Sequence, residues 1–285
     1  MSEATERRIP LLDHGYIELI DAWGTEERII EAARMSTGKG FQGWGELRCA
    51  CGATSKSARF TTTETTKPRT PFKDDAGTYC SAERGGAHVA VDGSAAGDEK
   101  LLRFLWTNKH QTPFEMVGLT VEVQAPILVL REWHRHRVPF GYNEMSARYT
   151  PLPDMNYIPS VERLMINAST TNKQAGTVAG SEQLTVEAAE AFREELETIY
   201  AEQEKLYQWA LRSGVPKELA RVHLPVGRYS RMRATGNLRG WLGFLALRMA
   251  PGAQFEIRQY ANALGDIVAE KFPHTWALFM EGFRG

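Results

Sequence analysis

Residues 131–149 read REWHRHRVPFGYNEMSARY and concentrate four arginines, two histidines and two acids in one short run. Arginine carries a permanent charge on a planar fork of donors, a shape that suits phosphate and carboxylate. Read as the end of a helix, the run sets Arg131, Arg135 and Arg137 on neighbouring faces at a C-terminal turn, where the helix dipole favours cations. The residues that follow, Asn143, Glu144, Ser146 and Arg148, add amide, carboxylate and hydroxyl groups able to read a polar ring or a sugar. A solvated basic helix end is the plain alternative. The adjacent NEMSAR run argues against it, because a merely soluble helix end needs no such set of donors and acceptors.

A second segment, 221–248, holds Arg221, Arg228, Arg231, Arg233, Arg239 and Arg248 without a single acid. Arginines lacking local counter-ions must face solvent, acids from elsewhere in the chain, or an anionic ligand. Arg248 follows Phe244 by four positions and Leu247 by one on a strongly apolar helix, so its charge is costly unless it points into a polar pocket. A structural ion pair with a buried carboxylate is the competing reading. The helix-to-strand junction HQTPFE, 110–115, contributes His110, Thr112 and Glu115.

These clusters sit in a chain of 285 residues with 34 Lys plus Arg against 35 acids and a formal net charge of −1. Apolar residues make up 42% and charged residues 24%, so a sizeable core is expected and disordered or collagen-like readings are excluded. No stretch reaches the roughly 18 apolar residues of a membrane span, and the first residues lack a signal-peptide core, so a cytoplasmic protein is expected. The neutral balance, the scarcity of Lys and the lack of an RNA-binding signature speak against an Arg-rich RNA-binding module. Three cysteines imply reduced thiols and no disulfide framework. Cys49, Cys51, Cys80 and His88 are zinc ligands in kind, but C-x-C with a 28-residue gap does not match structural zinc spacing, so no metal is expected. His134 and His136, two apart, do not share a helix face and are not expected to ligate jointly.

The elements that must position the clusters follow from periodicity. A strand through Tyr16, Ile17, Leu19 and Ile20 precedes a helix, EERIIEAARMS, with Ile29, Ile30 and Ala33 on one face. From about 38 to 97 the chain is rich in Gly, Thr and Ser and reads as a long insertion with no core of its own. Asp98 is expected to cap the helix DEKLLRFLWTNKH, whose apolar face is Leu101, Leu102, Leu105 and Trp106. MVGLTVEVQAP alternates Val117, Leu119, Val121 and Val123 as a half-buried strand, and Pro126 opens the helix PILVLREWHRHR. VPFGYNEMSARYTPLPD reads as a loop. The longest helix spans 182–213 with Phe192, Leu196, Ile199, Leu206 and Ala210 stepping along one stripe. A short helix at Lys217–Val222, the strand VGRYSRMRATG, the helix NLRGWLGFLALRM and two closing helices complete the chain.

RHR followed by NEMSAR, with AARMS and HQTPFE before it and NLRGWLGFLALR after it, resembles the flavin-dependent thymidylate synthases. The resemblance runs over roughly 11–37 and 98–282. It implies one catalytic domain over 1–285, interrupted by the insertion, with a mixed α/β fold of helices on a mainly antiparallel sheet. It also implies a homotetramer binding FAD at subunit interfaces, with no nucleic acid or membrane partner. The implied reaction moves a one-carbon unit from methylenetetrahydrofolate to C5 of UMP or dUMP, with NADPH as reductant. By position, Arg135, His136 and Arg137 match the family triplet that contacts FAD and, through its first Arg, the nucleotide. Ser36, His110, Thr112, Glu144, Asn237 and Arg239 match further flavin contacts. Glu144, Ser146, Ala147, Arg148 and Arg221 match the uridylate pocket, with Arg248 as the catalytic cation that favours ionisation at N3. A fixed cation there stabilises charge as C5 becomes nucleophilic, which leaves Ser146 a binding hydroxyl rather than a nucleophile.

Three departures stand out. VPFGYNEM places eight residues between triplet and Ser where the family has seven, Gly243 stands where Asn is common, and Glu132 replaces a usual Gln. The longer loop lies where the nucleotide sugar is expected, and hydrophobic pockets reject an added hydroxyl by only about 100-fold. Acceptance of UMP is therefore expected, as in the branch serving polyoxin-type nucleoside antibiotics; a housekeeping enzyme strict for dUMP is the alternative.

Overall fold

Alternation in the strands decides which face of the sheet is covered. The computed structural model describes residues 8–44, 48–49, 72–74, 77–79, 90–92, 97–166, 177 and 183–283. Its strands are β1 (Ile9–Leu11), β2 (Gly15–Trp23), β3 (Arg48–Cys49), β4 (Phe72–Asp74), β5 (Gly77–Tyr79), β6 (Ala90–Asp92), β7 (Gly118–Pro126), β8 (Gly141–Glu144) and β9 (Tyr229–Asn237). Its α-helices are α1 (Glu26–Arg34), α2 (Gly97–Thr107), α3 (Ile127–Trp133), α4 (Val161–Leu164), α5 (Val186–Arg212), α6 (Lys217–Ala220), α7 (Leu238–Arg248), α8 (Phe255–Lys271) and α9 (Pro273–Phe283). The chain divides into two compact units, 1–23 with 118–270, and 24–117 with 271–285.

The first unit is built on a five-stranded antiparallel sheet of order β1-β2-β7-β9-β8. Along β7, Leu119, Val121, Val123 and Ala125 are fully buried, as the alternation predicts, and Met232 and Ala234 of β9 join them. Helices cover this inner face: Val129, Leu130 and Trp133 of α3, Trp241, Phe244 and Leu245 of α7, and Ile257, Tyr260 and Leu264 of α8. The indole of Trp241 donates to the carbonyl of Leu119 at 3.0 Å, tying α7 to β7. The outer face is polar, with Thr120 bonded to Thr235 and Arg233 paired to Glu122 at 3.1 Å. A bulge between Leu19 and Asp21 turns Ile20 outward, to 37% exposure.

In the second unit α1 packs against the 3-10 turn Thr112–Glu115, and α2 against α9. Glu26, in the first turn of α1, accepts the backbone N–H groups of His274 and Thr275 at 3.1 and 2.6 Å, satisfying donors at the start of α9. Burial nevertheless pushes the Glu26 carboxyl upward. Asp98 departs from its expected role. The helix begins one residue earlier, and the Asp98 carboxylate, fully buried, pairs with Arg34 and accepts the N–H groups of Gln42 and Gly43 at 2.5 and 2.8 Å. It anchors the entry of the insertion rather than capping its own helix. Of the cysteines and histidine weighed for metal, Cys49 lies in β3 and the other three fall outside the described residues.

Three further expectations are corrected. The helix after Pro126 ends at Trp133, and Pro126 itself closes β7 and precedes the helix. The segment read as a loop contains β8, paired to β9. On α5 most of the apolar stripe faces outward: Phe192 is 50%, Ile199 42% and Leu206 48% exposed and Leu196 is half-buried, while Ala210 of the stripe turns inward with Ala189 and Tyr207.

Candidate active site

The arginine-rich run does not continue as a helix. After Trp133 the chain turns, placing Arg135 and Arg137 exposed and His136 half-buried. Residues 137–140 fold back on the junction of β9 and α7: a Cβ at Gly236 would lie 2.7 Å from the Phe140 ring, and one at Gly240 would lie 2.5 Å from Pro139. Only glycine permits this approach at both positions. It brings the triplet turn beside Asn237, which caps α7 by accepting the N–H of Gly240 at 2.9 Å. Arg239, exposed, follows in the first turn of α7.

Tyr142 locks the turn from the other side. Its hydroxyl proton is shared between the carbonyls of His136 at 2.7 Å and Trp133 at 3.1 Å, supplying a donor at the C-terminal end of α3. Burial holds this phenol well above the ordinary tyrosine range. His134 packs edge-on against Tyr142, and its Nε2 lies 4.0 Å from the Glu144 carboxylate. Beyond β8, the Ser146 hydroxyl accepts the N–H of Arg148 at 3.3 Å, Ala147 is buried, and Arg148 pairs with Glu218 of α6 at 3.3 Å. Lys217 donates to the Tyr149 carbonyl at 2.8 Å, so the Ser146–Tyr149 turn is fastened to α6, after which Arg221 follows.

Arg248 closes the array. Its Nε–H donates to Nε2 of His136 at 3.0 Å, one terminal N–H to the Glu132 carbonyl at 3.1 Å, and the other terminal nitrogen pairs with the Glu132 carboxylate at 2.6 Å. Because Nε2 must accept, the ring proton resides on Nδ1 and the imidazole is neutral. Burial, then the Arg248 charge, lowers the His136 pKa to about 4. The arginines of the second segment thus find acids elsewhere in three further cases: Arg228 with Asp154 and Glu204, Arg231 and Arg233 with Glu122.

The first unit therefore brings His136, Arg248 and Glu132 together, sets Glu144 beside His134, and joins Ser146 and Arg148 in one turn. Ser36, His110 and Thr112 belong to the second unit and are all exposed, in or next to the two 3-10 turns that flank α1 in space. Tyr142 and His134 escaped sequence reasoning as partners. The signal available was the alternation that puts Tyr142 and Glu144 on one face of β8.

The first unit thus sets a largely buried guanidinium and a neutral imidazole beside exposed arginines on an antiparallel sheet. The family model described as "Thymidylate synthase complementing protein" matches residues 18–274. The flavin-dependent thymidylate synthase of Thermosipho africanus is 32% identical over 271 residues, covering 95% of this chain and 93% of that protein. That of Thermus thermophilus is 33% identical over 273 residues, covering 96% and 78%. Among solved structures, the UMP/dUMP methylase PolB from Streptomyces cacaoi bound with 5-Br dUMP superposes with a TM-score of 0.66 at 25% identity, covering 95% of this chain and 97% of that one. Its complex with 5-Br UMP, at 24% identity, shows the same fold. The chain belongs to the flavin-dependent thymidylate synthase family and is a methyltransferase-type enzyme.

Proposed function

We propose that the protein methylates C5 of a uracil nucleotide using FAD, with methylenetetrahydrofolate as carbon donor and NADPH as reductant, and that it accepts UMP as well as dUMP. The observation that carries the reading is Arg248, a guanidinium held in one orientation at the end of α7 against a neutral His136. In this reading Arg248 faces the pyrimidine and stabilises the negative charge that makes C5 nucleophilic, so no enzyme thiol attacks the ring. Arg148 and Arg221 take the nucleotide phosphate, Ser146 and the Ala147 backbone hold it, and Glu144 orients the ligand.

The donor set fits FAD. A neutral imidazole with its proton on Nδ1 offers a donor without repelling an electron-rich ring, and exposed Arg135, Arg137 and Arg239 suit a diphosphate. Ser36, His110, Thr112, Glu144 and Asn237 complete the residues assigned to the cofactor. When bound, the flavin supplies the reducing equivalents that complete the methyl group. Gly243 also fits a ligand surface: it is exposed, and a Cβ there meets nothing within 4 Å.

The outward stripe of Phe192, Ile199 and Leu206 on α5 supports a homotetramer, since exposed apolar rows of this kind mark subunit contacts. The family match runs through both compact units, which supports reading 1–285 as one catalytic domain with an insertion. No helix among the described residues is long and apolar enough to cross a membrane. UMP acceptance is supported by the eight-residue loop of this chain and by its likeness to PolB, a UMP/dUMP methylase, and in this reading the enzyme serves nucleoside antibiotic biosynthesis. The test is turnover of UMP and dUMP under one set of conditions; methylation of dUMP alone returns the enzyme to housekeeping thymidylate synthesis.

A further inference from the structure

Glu132 carries no assigned role, yet it makes the shortest polar contact to the Arg248 side chain, 2.6 Å from carboxylate to guanidinium. Three of the five N–H groups of Arg248 are engaged, by the Glu132 carboxylate, the Glu132 carbonyl and the His136 ring. All three acceptors lie in one stretch, the last turn of α3 and the turn after it, so a single segment fixes a side chain that otherwise samples many rotamers. The acceptors differ in kind. Carbonyl and imidazole are neutral, and Glu132 alone supplies opposite charge. The Arg248 side chain is 17% exposed and that of Glu132 37%, so the cation is withdrawn from water while its counter-ion still reaches solvent.

We propose that Glu132 is a positioning residue: its carboxylate holds the Arg248 guanidinium in the orientation whose Nε–H fixes His136 as the Nδ1–H tautomer. One carboxylate thereby sets both the cation that faces the nucleotide and the imidazole that faces the flavin. The naming of those two ligands rests on the function proposed above, whereas the Glu132–Arg248–His136 arrangement rests on the geometry alone. A glutamine at this position keeps an acceptor oxygen for Arg248 and loses only the charge. An alanine loses both.

The experiment compares wild-type, Glu132→Ala and Glu132→Gln holoenzymes whose folding is verified by Tm. Ring nitrogen shifts of His136 report the tautomer, and steady-state kinetics report kcat and nucleotide KM. The wild type shows the Nδ1–H tautomer. Glu132→Ala loses that preference and about 10- to 100-fold in kcat, with nucleotide KM held within about threefold. Glu132→Gln keeps the tautomer and recovers most of kcat. An alanine variant with wild-type tautomer and kcat overturns the proposal. So does a rise in KM with kcat unchanged, which makes Glu132 a ligand contact. A wild type that methylates no uracil nucleotide defeats the functional reading instead, and the tautomer measurement then judges the role of Glu132 on its own.

Discussion

Arg248 donates from Nε to Nε2 of His136 at 3.0 Å, joining residues 112 positions apart in the chain. The bond decides which ring nitrogen of His136 carries its proton, and it lets neither group change charge without affecting the other.

The first consequence is acid sensitivity. His136 binds a proton with a pKa of about 4 in the folded chain against about 6.5 when unfolded, chiefly through burial and then through the Arg248 charge. The unfolded state therefore holds more protons below about 6.5, and the stability owed to neutral His136 is lost as pH falls from about 6.5 toward about 4. Removing the Arg248 charge in Arg248→Ala moves the folded pKa upward and flattens this dependence. Thermal unfolding across that range checks it; equally steep curves for both proteins contradict the assignment.

The proposed catalysis draws on the same guanidinium in a different way. Arg248→Ala is expected to lower methylation by about 100-fold or more, as removal of a charge-stabilising donor does, while leaving flavin bound. Flavin absorbance after gel filtration provides the check, and loss of the cofactor would show that Arg248 serves the flavin, directly or through His136.

Asn237 separates a structural from a ligand role. Its side-chain oxygen already caps α7, so Asn237→Ala costs about 1 kcal/mol of stability and Asn237→Ser much less. If the side chain also binds FAD, both variants weaken flavin affinity equally despite their different Tm values.

Gly243→Ala sets stability against binding. A methyl group there meets nothing within 4 Å, and alanine gains up to about 1 kcal/mol over glycine inside a helix. The variant is expected to melt higher and to bind flavin or folate less well. Higher stability with unchanged binding of both would show that no ligand covers this face of α7.

The strand β7 was legible because Leu119, Val121 and Val123 alternate with polar residues over one buried face. The arginine triplet was legible as a cationic cluster but not in its conformation. What ends α3 at Trp133 lies outside its own sequence: the chain must turn back so that β8 pairs with β9, and Tyr142 bonds the carbonyls of Trp133 and His136. Glu132 showed only as an unusual residue type, since its partner stands 116 positions away. The stripe on α5 was legible as a stripe, but periodicity states which residues share a face, not whether that face meets the chain's own core or another molecule.

The most direct measurement incubates the purified flavoprotein with equimolar UMP and dUMP, methylenetetrahydrofolate and NADPH, and follows both 5-methyl products by mass spectrometry. Both products, formed at rates within about 100-fold of each other, are the predicted result. Methylation of dUMP alone would contradict UMP acceptance, and a protein that binds flavin yet methylates neither nucleotide would contradict the whole account.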